Sequence, residues 1–177
     1  SFPTRRSSDL LQFGRRGRKN RPAEDIMGPR FEKLFEAGWR HVDPNGHVAN
    51  MVYLEYAVDT RIAFFASQGF PPGDFGRLGF GPVIKSDFVE YFREVKMLDK
   101  ISVTMENGGV SPDSSRFRVV NNFYMHDGTH AARVTSVGGW LGLKERKLVE
   151  PPEKLKDAWN QLVKTEDFEE LRSSIKR

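Results

Sequence analysis

The sequence predicts an α+β layer fold in which an antiparallel sheet wraps a single long helix. Three observations lead there. Residues 51–68 carry apolar side chains at helical spacing over much of the helix circumference. From residue 83 onward the apolar period switches to two, through about four segments separated by turn signals. No internal repeat or sustained heptad interrupts that order.

Taken in order, residues 31–42 fit a strand or a short helix, because their apolar spacing does not decide. Asp43-Pro44-Asn45-Gly46 gathers Pro, Asn and Gly and demands a turn. In the helix that follows, Leu54, Ala57/Val58, Arg61/Ile62 and Phe65 recur at helical spacing. Gly69 stops it, and Asn50 stands where an N-cap is wanted. Residues 70–82 are too rich in Gly and Pro for a regular element. Gly76, Gly79 and Gly81 suit a mobile flap over a substrate better than a phosphate loop, since no strand precedes them and the Walker lysine is missing.

Residues 83–95 read as a strand whose alternation is blurred by Ser86 and Asp87. Ile101, Val103 and Met105 alternate cleanly with Ser102, Thr104 and Glu106. Asn107-Gly108-Gly109 through Ser115 reads as a long turn. Residues 117–125 alternate again, His126-Asp127-Gly128-Thr129 is a hairpin signal, and residues 131–143 supply the partner strand. Pro151-Pro152 ends the sheet region. Leu155, Trp159, Leu162 and Val163 outline a short amphipathic helix. Thr165 before Glu166 and Asp167 reads as the cap of another, so 153–177 are expected as a helical extension. Trp140 and Trp159 are expected to pack in the core.

Composition bounds the chemistry. A chain of 177 residues suits one domain, expected here over 31–152. The absence of cysteine excludes disulfide scaffolds, thiol nucleophiles and cysteine-ligated zinc. No run of about 18 apolar residues is present, so no membrane-spanning helix is expected. The formal charge of +4 is concentrated at one end: residues 1–30 hold eight Arg/Lys against three acids, and the rest holds 20 against 21. A near-neutral body argues against a nucleic-acid footprint. The basic head lacks apolar periodicity and is expected to stay disordered. Its first ten residues, SFPTRRSSDL, resemble the translation of a sequencing adapter and are expected to be an artefact. No apolar stretch follows the arginines, so a secretory signal is disfavoured and a cytoplasmic protein is expected.

The segment from His41 to Asn50 carries the chemistry. It places a carboxylate and an imidazole in a tight turn that feeds the start of the apolar helix. The first amides of a helix lack internal partners and sit at the positive end of its dipole. A carbonyl oxygen resting on them is polarised as in an oxyanion hole, worth about 3–4 kcal/mol per donor. A carboxylate just upstream can attack the carbonyl carbon or activate water to do so. The competing reading is that Asp43 and Asn50 merely stabilise the turn and cap the helix. Elsewhere, His126 and His130 flank a turn without a third ligand, so no metal site is expected. There is no Gly-x-Ser-x-Gly elbow to supply a serine nucleophile.

The stretch Asp43-Pro44-Asn45-Gly46-His47-Val48-Ala49-Asn50-Met51-Val52-Tyr53-Leu54-Glu55-Tyr56, with Asp59-Thr60-Arg61-Ile62 after it, resembles hotdog-fold acyl-CoA thioesterases of the 4-hydroxybenzoyl-CoA thioesterase type. Residues 87–95, closed by Leu98-Asp99, resemble their second strand. The resemblance implies a five-stranded sheet around one helix and a homodimer or tetramer of dimers with active sites at the subunit boundary. It also implies an acyl-CoA or acyl-carrier-protein substrate, no cofactor, and Asp43 as nucleophile or general base. Carbonyl polarisation falls on the amides of Asn50, Met51, Val52 and Tyr53, and Val58 and Ile62 line the acyl pocket. His47 and Glu55 are further acid–base or supporting candidates, with solvated or structural roles as the alternatives. The usual Asn-Asn pair is here Ala49-Asn50, which leaves no side-chain amide at position 49. A non-catalytic acyl-CoA- or lipid-binding domain, an enoyl-CoA hydratase or dehydratase, and a nucleic-acid arm at Arg15–Arg21 are the competing functions.

Overall fold

The computed structural model describes residues 30–175, so the expectations for the basic head before residue 30 lie outside the described residues. The apolar helix is α1 (Asn50–Ser67), with Val52, Tyr56, Ala57, Phe64 and Phe65 buried along its length. Six strands surround it: β1 (Phe31–Glu36), β2 (Phe80–Tyr91), β3 (Lys100–Val110), β4 (Arg116–Met125), β5 (His130–Gly142) and β6 (Lys164–Glu170). The order β1-β3-β4-β5-β2 is antiparallel throughout, with β2 as one edge. This is the hotdog arrangement the resemblance implied. Inward residues alternate as the pleat requires: Ile101, Val103 and Met105 on β3, Phe117, Val119 and Phe123 on β4, Val134 and Trp140 on β5. Among the described residues no helix is long and apolar enough to cross a membrane.

Four expectations are corrected. The Gly/Pro-rich stretch after α1 is not irregular but contains a helix, α2 (Pro72–Leu78). Pro72 pre-sets its first turn and Gly79, at φ 76°, ends it in the left-handed region. Phe75 then anchors it against Phe65, Phe70, Phe80 and Trp140, so packing overrides weak propensity. Gly108 and Gly109 do not turn; they continue β3, and the chain reverses only over 111–115. A Cβ on Gly109 would lie 2.6 Å from the Glu169 carbonyl, so the glycine permits close backbone approach.

The strand that approaches is β6, which replaces the second helix expected near Thr165 and makes the sheet six-stranded. It runs parallel to β3 from Asn107 onward, beyond the stretch that β1 covers. Its acidic residues face arginines: Asp167 lies 2.7 Å from Arg118 and 3.0 Å from Arg133. The C-terminal extension is therefore one helix, α3 (Glu153–Asn160), followed by a strand. Lastly, Ala49 rather than Asn50 occupies the N-cap of α1, with no side-chain cap bond. The turn hands the chain to the helix one residue early, because the Ala49 amide is tied to the His41 carbonyl at 2.8 Å.

Two buried clusters divide the core. One groups Tyr53, Tyr56, Val103, Phe123 and Val134 around the first half of α1. The other is aromatic and closes the far end, where Trp140 and Trp159 pack against Phe65 and Phe117 as expected. In that cluster Gly138 leaves room for the Val83 carbonyl of the neighbouring strand and the Phe117 ring, which a Cβ would meet at 3.1 Å. Gly138→Ala is expected to destabilise the fold by about 1–3 kcal/mol through overpacking. A urea unfolding midpoint equal to that of the parent would contradict this.

Candidate active site

The turn before α1 is held from within. Gly46 donates its amide to the Asp43 carbonyl (2.9 Å) and Asp43 donates to the His47 carbonyl (2.8 Å). Gly46 takes φ 80°, which a residue with a side chain resists. Val48 bridges to Val42 and donates to the Val95 carbonyl at 2.7 Å, fixing the turn to the segment after β2. The half-buried Asp43 carboxylate takes part: Oδ1 accepts from the amides of Asn45 (2.9 Å) and His47 (3.4 Å). Among the described residues Oδ2 accepts only the Asn45 side-chain amide, at 3.3 Å. Desolvation pushes the Asp43 pKa up, but the Asn45 and His47 amides, the Asn45 side chain and the His47 ring outweigh it, and the net shift is down. Donors on a carboxylate favour its charged form.

Seven residues on, α1 opens. The Val52 amide is taken by the Ala49 carbonyl at 3.0 Å, while the Asn50 and Met51 amides make no hydrogen bond among the described residues. They are donors at the positive end of a buried helix. The turn thus places an ionised carboxylate seven residues ahead of two helix-start amides that have no partner among the described residues.

The other predicted residues fall in three places. The His47 ring turns to Glu94, with Nε2 3.1 Å from its Oε2, and only its backbone amide meets the Asp43 carboxylate. Glu55 is exposed, as is Asp59, which pairs with Lys33 at 3.6 Å. Met51 and Asn50 are exposed, whereas the side chains of Val52 and Tyr53 are buried in the core. Tyr53 packs against Tyr91 and Phe123, and burial, helped by the Tyr91 hydroxyl, pushes its phenol up to about 12. Val58 and Ile62, half-exposed, line a cavity of about 280 Å³ with Arg61, Phe65, Ile84 and Trp159.

Several contacts of this region were not anticipated from sequence. Tyr56 shares the Nδ1 of His41 with the Gly38 amide, at 2.8 and 2.9 Å. Arg61 is buried, and desolvation lowers its pKa while Asp87 opposes that shift. Asp87 in turn accepts the hydroxyl of Ser136. No group of three His, Asp or Glu side chains among the described residues is placed to hold a metal ion.

A profile of the thioesterase-like superfamily matches residues 37–159, most of the chain, and the protein belongs to that family. Solved structures show the same fold. A Staphylococcus aureus hypothetical protein characterised in complex with CoA is 18% identical, with TM-score 0.69, over 77% of this chain and 85% of its own. The 1,4-dihydroxy-2-naphthoyl-CoA thioesterase of Synechocystis is 16% identical, with TM-score 0.68, over 76% and 98%. The DHNA-CoA thioesterase of Staphylococcus aureus is 15% identical, with TM-score 0.67, over 75% and 89%. Curated protein sequences provide no match.

The Asp43 environment makes a pH prediction. A carbon-detected NMR titration of its carboxyl should give a midpoint below the ordinary 3.8. A lowered folded-state pKa adds stability above the unfolded value, and that contribution is lost as pH falls through the folded midpoint. A midpoint above 3.8 would contradict the hydrogen-bond pattern.

Proposed function

We propose that this protein hydrolyses an acyl-CoA or acyl-carrier-protein thioester to a free acid and a thiol, with Asp43 as nucleophile or general base. One observation carries the reading: a tight turn joins an ionised carboxylate to the unpaired amides that open a buried helix. Those amides would receive the thioester oxygen and stabilise the negative charge that grows on it during attack. As a base, Asp43 takes a proton from water, the hydroxide forms the new C–O bond, and the C–S bond breaks to release the thiolate, which recovers the proton. As a nucleophile, its carboxylate bonds to the acyl carbon while the C–S bond breaks and the thiolate leaves, and water then opens the anhydride to the free acid and Asp43. His47 and Glu94 would hold the turn from outside.

Family membership and a relative solved with CoA favour CoA as the thiol. The active unit is read as a homodimer. The edge strand β2 leaves a long unpaired ladder, and beside it Val58, Ile62, Ile84 and Tyr91 are between 40% and 51% exposed. A second copy adding its own β2 would pair the ladder and cover those side chains.

Asp43→Asn keeps the turn's size and is expected to lower turnover of a panel of acyl-CoAs by at least about a hundredfold, followed by free-thiol detection. The parent should scatter light as twice 20.3 kDa or a multiple of that. Parent-like thiol release from Asp43→Asn would overturn the assignment. Binding of acyl-CoA without any thiol release by the parent would mark a binding domain, and loss of enoyl-CoA absorbance a hydratase.

A further inference from the structure

The far end of α1 holds a site that hydrolysis alone does not require. α1 and the edge strand β2 meet at two places: Tyr53 meets Tyr91 at 5.1 Å, and Ile62 and Phe65 share a cavity with Ile84 and Pro82. The cavity walls are apolar with two exceptions, and both are donor-only groups. Arg61, 94% buried, uses Nε on the Ala57 carbonyl at 3.1 Å and makes no other hydrogen bond and no ion pair within 4 Å among the described residues. Trp159, 97% buried, has an Nε1 that is buried and without a partner there. A buried donor left without an acceptor, as the Trp159 Nε1 is, is costly and rarely tolerated without a reason.

We infer that this cavity receives the distal part of the substrate acyl chain and selects a chain bearing a carbonyl oxygen there, which accepts hydrogen bonds from Arg61 and Trp159. The inference rests on the thioesterase reading and gives it a substrate class, an oxo-acyl thioester. A carbonyl oxygen only accepts, as the two donor-only groups require. A carboxylate fits less well, because Asp87 already supplies a negative charge beside Arg61. The Arg61 side chain runs back along the helix to Ala57, about 10 Å of helix rise from Asn50. An extended chain advancing about 1.2 Å per bond covers that in eight or nine bonds, the length of a ten-carbon acyl group.

The test compares decanoyl-CoA, 9-oxodecanoyl-CoA and decanedioyl-CoA by thiol release. The parent is expected to prefer the oxo substrate over decanoyl-CoA by about tenfold or more in kcat/KM. Arg61→Met should bring that ratio close to one, Arg61→Lys should keep part of it, and Trp159→Phe should lower it while preserving the core. If Arg61→Met fails to fold, the parent ratio and Trp159→Phe still decide. Equal turnover of the first two substrates, or preference for the dicarboxylate, would overturn the inference and leave thioester hydrolysis standing. Should no thioester be cleaved, calorimetry of decanoic and 9-oxodecanoic acids on the parent reads the cavity directly. Tighter binding of the oxo acid supports the inference, and equal binding refutes it.

Discussion

The structure depends on one constraint: a helix apolar over most of its circumference must be covered on more than one side. A flat sheet covers a single stripe, so α1 requires a sheet that curls around it. The inward residues of β3, β4 and β5 supply that surface, and the aromatic cluster of Phe65, Phe117, Trp140 and Trp159 closes the far end. Covering the body of the helix this way leaves its start at the rim of the sheet. The turn at Asp43 delivers the chain to that rim, tied down through Val48 and Ala49. Two amides and a carboxylate are thus fixed by the same packing that makes the core.

The charge balance there is favourable. The carboxylate is held in its ionised form by amide donors from its own turn, and the helix opening seven residues later presents partial positive charge. On the proposed reading, stabilising the turn and serving chemistry are not rival uses of Asp43. Oδ1 anchors the loop while Oδ2, with a single long hydrogen bond at 3.3 Å, remains the lightly engaged oxygen. The far end of the same helix is different in kind: an apolar cavity lined by Arg61 and the Trp159 indole, which we read as the end of the acyl site.

Much of this was legible in the sequence, and the failures share a cause. α1 declared itself by spacing and by Gly69, and β3 to β5 by alternation, because local pattern and burial agree in those elements. Ser86 and Asp87 blurred the β2 pattern because the strand slips register between Ile84 and Ser86, after which the opposite parity faces inward. α2 and β6 were missed because neighbours create them: Phe75 docks a Gly-rich segment on the core, and Arg118 and Arg133 hold an acidic segment as a strand. The turn at Asp43 could be found from residue type and turn chemistry. The unpartnered indole N–H of Trp159 could not, since the lack of an acceptor is a property of packing that no spacing records.

The most direct measurement is a crystal structure of the protein with a non-cleavable acyl-CoA analogue in which a methylene ketone replaces the thioester. The account predicts the ketone oxygen at hydrogen-bond distance from the Asn50 and Met51 amides, with the Asp43 carboxylate, from the same or the paired chain, facing its carbon. An analogue bound with that carbonyl remote from both the helix start and Asp43 would contradict it.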